Sequence, residues 1–483
     1  MAKIIFVQEV WFPLQGVMAL SASLKKSGHM TQVAVGSQNK IIKEIIEYNP
    51  DIIALSVITS SRKSMIELVE RIRKERLKPL VVVGGYDASF FPEILELYPI
   101  DVLCRGEGDD ALVELANAID KKKDYTRIKN LWVKKNGKII KNEIRPFKNV
   151  DERLLPDWDI YRKYDSYFAD IEFEQIIAGR GCPYQCSYCF NHAYRKLYAS
   201  VDKKYCALRD VDKVINECLV LKSKYRIKNL VFNDNTFCYD KKWTIAFLRK
   251  YKKKINLPFS INATAREIDE ELCKEIAATK MCYVVRIGLE TGNEKLRKEV
   301  LNKDIPNKQY VKATNMLKKY NLRYQLNLMF DIPDETLENS FETLDFAIKI
   351  ADKKQTVGIS VFKPFPKLNI TDYGIKLGQY KLDQIEDINY IGNTVMSIFE
   401  SFRRDKESRL IINLSRVAQV YIHFPFLRKL IKNKLIYYPD NFIYRLIFRL
   451  GEYYYSTRSI TNASWKYIIK YFFKHMRKGL VYA

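Results

Sequence analysis

The chain has 483 residues, 47% of them apolar and 13% aromatic, with a formal charge of +25. That apolar content excludes an intrinsically disordered protein, whose sequence lacks the surface needed to offset the entropy of ordering, and the length asks for two or three domains. Nine cysteines, three of them within eight positions, exclude a small secreted disulfide scaffold and suit a reducing compartment.

From the N-terminus, short apolar runs alternate with helical patterns: KIIFVQ then VMALSASLKKSG, DIIALSVIT then SMIELVERIRKE, PLVVVGG then FPEILELY, DVLCRG then DALVELANAID. Four strands each followed by a helix imply an α/β fold with a doubly wound parallel sheet, Rossmann-like, over residues 1–145. Ligands on such sheets bind at the carboxyl ends of the strands, where Ser56, Gly84, Gly85, Gly106, Glu107 and Gly108 fall. The Asn136-Gly137 pair between two apolar runs predicts a hairpin, and residues 146–170, including DERLLPDWDIYRKYD, read as a linker.

From Phe173 a second series begins, with strands near EQIIAG, NLVFND, FSINAT, YVVRIGLE, YQLNLMF and VGISVF. Six strand–helix units predict a partial (β/α)6 TIM-like barrel over residues 171–366, with its chemistry at the C-terminal strand ends. Residues 367–483 read as a mostly helical region. No stretch of about eighteen uninterrupted apolar residues marks a membrane span, and MAKIIFVQEV lacks the segments of a secretory signal, so a cytoplasmic location is expected.

Just past the first barrel strand stands Gly179-Arg180-Gly181-Cys182-Pro183-Tyr184-Gln185-Cys186-Ser187-Tyr188-Cys189-Phe190-Asn191, a C-x3-C-x2-C spacing. Four thiolates close a 4Fe-4S cluster, whereas three leave one iron open for substrate chemistry. The alternative is zinc, which wants four ligands, with His192 as the nearest candidate for the fourth. The other cysteines, Cys104, Cys206, Cys218, Cys238, Cys273 and Cys282, are scattered and read as small buried hydrophobes.

C-x3-C-x2-C followed by an aromatic, at the end of the first strand of a partial barrel, closely resembles the radical S-adenosylmethionine superfamily. The resemblance implies that Cys182, Cys186 and Cys189 hold a 4Fe-4S cluster whose open iron is chelated by S-adenosylmethionine. An electron from the cluster then cleaves the sulfonium to methionine and a deoxyadenosyl radical. Phe190, Asp234, Arg266, Gly288 and Glu290 are the expected S-adenosylmethionine-binding residues, Glu290 being equally readable as a capping or ion-pairing carboxylate. In MFDIPDET, similar to the family's fifth-strand turn, Asp331 and Asp334 stand where glycine is common.

A parallel-sheet domain placed before such a barrel resembles the cobalamin-binding branch of that superfamily, which implies cobalamin as a further cofactor, bound by Pro13, Gly16, Ser56, Gly84, Gly85, Glu107 and Gly108. The loop from Gln8 to Gly16 contains no histidine. His29 reads as a turn residue, so the resemblance implies a lower cobalt face without a protein ligand; the alternative is a domain that keeps the fold without the cofactor.

Residues 401–483 carry seventeen Lys/Arg against four Asp/Glu, interleaved with aromatics that include Tyr453 to Tyr455 and Trp465. Such a tail suits helices packed on the barrel, peripheral contact at the inner face of a membrane, or, last, nucleic acid. The expected function is cobalamin-dependent methyl transfer to an unactivated carbon. Its rivals are rearrangement, cyclisation or oxidative chemistry within the superfamily, and a non-enzymatic iron–sulfur or nucleic-acid-binding protein. A small-molecule or lipid-like substrate and an external electron donor of the flavodoxin or ferredoxin type are the expected partners.

Overall fold

A computed structural model of the chain describes residues 1–9, 13–164, 173–201, 205–352, 355–381, 403, 405–439, 444, 446–447 and 451. These residues fall into two units: one takes those up to 164 with those between 194 and 205, the other takes the rest. In the first unit, β1 (Lys3–Gln8), β2 (Met30–Val35), β3 (Ile52–Ser56), β4 (Leu80–Gly84) and β5 (Val102–Cys104) form a parallel sheet in the order β2-β1-β3-β4-β5. The hairpin β6 (Leu131–Lys135) and β7 (Lys138–Lys141) extends it antiparallel, turning at Asn136 and Gly137, both with positive φ, as their sequence predicts.

The strands read as apolar runs because helices cover both faces. Ile4, Phe6 and Val82 pack with the helices Gln15–Lys26 and Asp109–Asp120. On the other face Ile5, Val7, Ile53 and Val83 pack with Gln38–Tyr48 and Arg62–Lys74. Each such side chain taken out of water contributes roughly 1.5–3 kcal/mol, so burial dominates over intrinsic strand propensity. The pattern of four strand–helix units missed β2 and its following helix. β2 is an edge strand in which Met30 is exposed and Thr31 and Gln32 half-buried, so it shows no continuous apolar run.

The stretch expected as a linker is, up to Tyr164, built into this unit. Asp157 accepts from Ser21 at 2.5 Å and pairs with Lys25 at 2.7 Å. Tyr161 donates to the Gln8 side chain at 2.6 Å, and the Tyr164 hydroxyl accepts from Val35 N–H at 2.9 Å. Residues 146–164 are therefore a strap across the sheet.

The second unit begins with β8 (Phe173–Ile176), followed by a small antiparallel pair, β9 (Gly179–Gly181) and β10 (Cys206–Leu208). Then come β11 (Asn229–Phe232), β12 (Phe259–Ala263), β13 (Cys282–Glu290), β14 (Tyr324–Phe330) and β15 (Thr356–Val361). All six expected barrel strands are present, parallel, in the order β8-β11-β12-β13-β14-β15. Phe232, Phe237, Phe247, Tyr251 and Phe259 form one aromatic cluster with the helix Lys241–Lys254. Register and alternation place Asn262, Arg286 and Gln325 together on the opposite, polar face.

The helix Lys406–His423 packs on the helix Leu337–Ile350, Tyr421 donating to Asp345 at 2.9 Å. The buried Arg403 donates to the carbonyls of Ile332 and Glu335, each at 2.9 Å. The described part of the basic tail is thus integral to the second unit, whereas Tyr453 to Tyr455 and Trp465 lie outside the described residues. Asp331 and Asp334 have φ of 62° and 65°, the left-handed backbone that glycine takes without cost and aspartate tolerates. The turn keeps a glycine-like path despite both substitutions.

Beside it Glu335 is buried, accepting from Ile332 N–H at 3.0 Å and Ser340 at 2.7 Å, and burial lifts its carboxyl to about 8. The native state therefore retains a proton that the unfolded chain has already lost, and stability falls as pH rises from the ordinary carboxylate range through about 8. Glu335→Gln should flatten that decline between pH 5 and 8, as read by thermal midpoints; a variant that loses stability as steeply as the parent would contradict it.

Candidate active site

The cysteine loop spans the gap between β9 and β10. Every residue between its cysteines except Pro183 is tied down: the Tyr184 hydroxyl donates to Glu267 at 2.8 Å and the Gln185 carbonyl accepts from Asn302 at 2.7 Å. Ser187 donates to the Val300 carbonyl at 2.5 Å and Tyr188 donates to Glu290 at 3.0 Å. A loop rich in small and polar residues thus has its thiols preset by four neighbours. None of the nine cysteines is in a disulfide.

Burial pushes the Cys182 thiol up to about 12 and raises that of Cys186, the latter opposed by the charge of Lys303. Such thiols release their protons to a metal rather than to water. Asn191 donates to the Cys189 sulfur at 3.4 Å and its carbonyl accepts from Asn235 at 3.2 Å, a hydrogen bond of the kind that tunes a cluster. Among the described residues no three His, Cys, Asp or Glu side chains, those of the loop cysteines included, are gathered around one metal position. His192 instead lies 3.3 Å from Asn369.

The residues expected to bind S-adenosylmethionine divide. Phe190 opens the helix Phe190–Tyr198 beside Phe365, ring centres 5.5 Å apart. Arg266 is exposed, lies over the Tyr184 ring at 5.5 Å and donates to the Asp304 carbonyl. Glu290, φ 66°, pairs with the buried Lys303 at 2.9 Å, which is the ion-pairing alternative for that carboxylate. Burial works against the Lys303 ammonium, but Glu290, Tyr310 and Cys186 outweigh it and hold it above the usual lysine range. A side chain at Gly288 would collide with both Glu290 and Lys303.

Asp234, also expected there, is anchored to the backbone. Its two oxygens accept the Gly179 and Ala178 amides at 2.7 and 3.0 Å, and burial raises its carboxyl to about 6. It is a positioning residue that fixes the strand leading into the cysteine loop. Asp234→Ala should leave two buried amides unpaired at about 1–3 kcal/mol each, lowering both the thermal midpoint and the iron content of the purified protein; unchanged iron would refute the positioning role.

In the first unit the strand order reverses between β1 and β3, and such a switch point is where doubly wound sheets bind ligands. Ser56 ends β3 exposed, and Pro13 and Gly16 lie in the segment after β1. A Cβ on Gly16 would meet nothing within 4 Å, and one on Gly84 meets only Cys104, at 3.7 Å, so both positions leave open space beside the backbone. Gly85, φ 97°, is demanded by the protein itself, since a Cβ would fall 2.5 Å from the Val57 carbonyl oxygen. A Cβ on Gly108 would press on Leu20 at 3.3 Å. The Glu107 carboxylate is held by Arg153 at 2.7 Å, so it anchors its turn through that pair.

Sequence reasoning missed what holds this edge. Tyr194 and Tyr198, an i,i+4 pair starting five residues after Cys189, belong to the first unit with Tyr205. The Tyr198 hydroxyl accepts from Glu107 N–H at 2.8 Å. Tyr194 bonds Ser89 at 3.0 Å, and Ser89 in turn accepts from Gly106 N–H at 2.9 Å. The helical spacing of the two tyrosines is a signal that sequence reading had available.

A three-thiol loop of this spacing on a partial barrel defines an iron–sulfur enzyme of the radical-generating class. Residues 176–347 match the radical SAM superfamily and residues 7–116 match the B12 binding domain. The chain therefore carries a radical SAM domain and a B12-binding domain, and its cofactors are a 4Fe-4S cluster, S-adenosylmethionine and cobalamin. It is 28% identical to an uncharacterized methyltransferase of Pyrococcus horikoshii over 74% of this chain and 78% of that one. It is 24% identical to the anaerobic magnesium-protoporphyrin IX monomethyl ester cyclase of Rubrivivax gelatinosus over 70% of this chain, spanning 62% of the cyclase. The fold is that of the cobalamin-dependent S-adenosylmethionine radical enzyme OxsB, TM-score 0.67 at 18% identity over 99% of this chain and 75% of that one. It is likewise that of the methyltransferase TsrM from Kitasatospora setae, TM-score 0.62 at 18% identity over 77% and 75%.

Proposed function

We propose that the chain transfers a methyl group to an unactivated carbon of a small-molecule or lipid-like substrate. The observation that carries this reading is the double duty of one short stretch. The residues that follow the cysteine loop supply the two tyrosine hydroxyls that brace the Gly106–Glu107 turn, so this chain builds its thiol loop and its corrin-facing edge from adjacent sequence. When bound, the cluster supplies an electron and an open iron position for S-adenosylmethionine, and cobalamin supplies a cobalt able to carry a methyl group.

The protein's own part is positioning. Cys182, Cys186 and Cys189 hold three irons; Glu267, Glu290 and Asp234 fix the loop and the strand before it. Phe190, Arg266, Gly288 and Glu290 border the space for S-adenosylmethionine. Pro13, Gly16, Ser56, Gly84, Gly85 and Gly108 line the corrin, and an external flavodoxin- or ferredoxin-type donor supplies electrons. Cyclisation is the second reading, favoured by the likeness to the cyclase.

The test is incubation of the fully loaded enzyme with an extract of the source cells and S-adenosylmethionine bearing a deuterated methyl group. A product heavier by one labelled methyl supports the proposal; a product that has lost two hydrogens and gained no label supports cyclisation.

A further inference from the structure

The segment after the helix Lys406–His423 is a turn at Pro425–Leu427, a short helix Arg428–Asn433 and a turn at Leu435–Tyr437. Its inner side is firmly seated. Ile431 and Ile436 are fully buried, and the buried Asn413 donates to the carbonyls of Ile436 and Tyr438, each at 2.9 Å. Arg428 donates to the Tyr421 carbonyl at 2.9 Å.

Its outer side is the reverse of a solvated surface. Phe424 is 44% exposed, Phe426 78%, Leu430 41%, Tyr437 53% and Tyr438 55%. Exposed large apolar side chains are ordinary singly, but a cluster rimmed by charge marks a contact surface. The charge here has one sign: Lys429 and Lys434 are exposed among them, and the sequence holds no Asp or Glu between Glu407 and Asp440. Phe424 and Phe426 lie ring to ring at 6.1 Å, and exposed aromatics interleaved in sequence with exposed lysines, on a seated element, match the boundary between phosphate headgroups and acyl chains.

We propose that this face docks the protein on an anionic lipid bilayer. Phe424, Phe426, Leu430, Tyr437 and Tyr438 enter the headgroup–acyl boundary while Lys429 and Lys434 meet phosphate. Among the described residues no helix is long and apolar enough to cross a membrane; the proposed contact is one in the surface plane. The inference is independent of the reaction proposed above.

The test is co-sedimentation of the full chain with vesicles of phosphatidylcholine alone and of phosphatidylcholine with phosphatidylglycerol, at low and physiological salt. Binding is expected only to the anionic vesicles and to fall with salt. Phe426→Ser combined with Tyr437→Ser should weaken it about tenfold, and Lys429→Gln with Lys434→Gln should remove most of the salt-sensitive part, with thermal midpoints unchanged. In a Phe426→Trp chain the added fluorescence should shift to the blue on vesicle addition and be quenched by brominated lipid. No binding by the parent, equal binding by the serine variant, or added fluorescence indifferent to vesicles overturns the proposal. So does concentration-dependent self-association that the serine variant abolishes without any vesicle binding, which assigns the face to a second copy of the chain.

Discussion

Cys182→Ala, Cys186→Ala and Cys189→Ala each abolish the 4Fe-4S cluster of the anaerobically purified full-length protein, with iron and sulfide per chain falling to background and the visible absorption lost. Two thiolates would leave two irons without a protein ligand, and the loop has no substitute to offer, because its other residues are committed to Glu267, Asn302, Val300 and Glu290. The sharpest control is Cys206→Ala. Cys206 opens β10 opposite Gly181, the residue before Cys182, so it is the nearby thiol a rescue would use; its replacement should leave iron and sulfide unchanged. Full cluster in any one of the three loop variants would contradict the assignment.

Cobalamin bound to the full-length protein carries no histidine nitrogen on cobalt. His29 is the sole histidine in the part of the sequence that builds the first unit; it is 5% exposed and its Nδ1 accepts from Ala2 N–H at 3.3 Å. The reduced cobalt spectrum should therefore lack imidazole hyperfine coupling, and His29→Ala should leave that spectrum unchanged. Tyr198→Phe should instead weaken cobalamin retention: it removes the acceptor of Glu107 N–H, leaving that amide unpaired at about 1–3 kcal/mol of stability and loosening the Gly106–Glu107 turn, with iron content preserved. Imidazole coupling in the parent, or unaltered retention in Tyr198→Phe, would count against this picture.

How much of this was legible in the sequence follows from the range of the interactions involved. The six barrel strands and four of the five parallel strands of the first sheet were readable because each is a short apolar run between turn residues. β2 was not, since at a sheet edge its first half is not buried and holds Thr31 and Gln32; nor were β9 and β10, at three residues each. The cysteine loop was readable because its spacing is local. Lys303, thirteen residues past Glu290, and Arg153, forty-six past Glu107, have no local pattern to betray them. The same limit hid the partners of Asp234 and Glu107: their residue type and strand-end position were visible, but the backbone amides and the arginine that meet them were not.

The central claim is that this chain generates radicals from S-adenosylmethionine at its three-cysteine site. The most direct measurement is anaerobic incubation of the reconstituted full chain with S-adenosylmethionine and a strong one-electron reductant, followed by quantification of 5′-deoxyadenosine. Deoxyadenosine formed by the parent and absent with Cys186→Ala is the predicted result. A parent that holds its full complement of iron and sulfide yet forms no deoxyadenosine would contradict it.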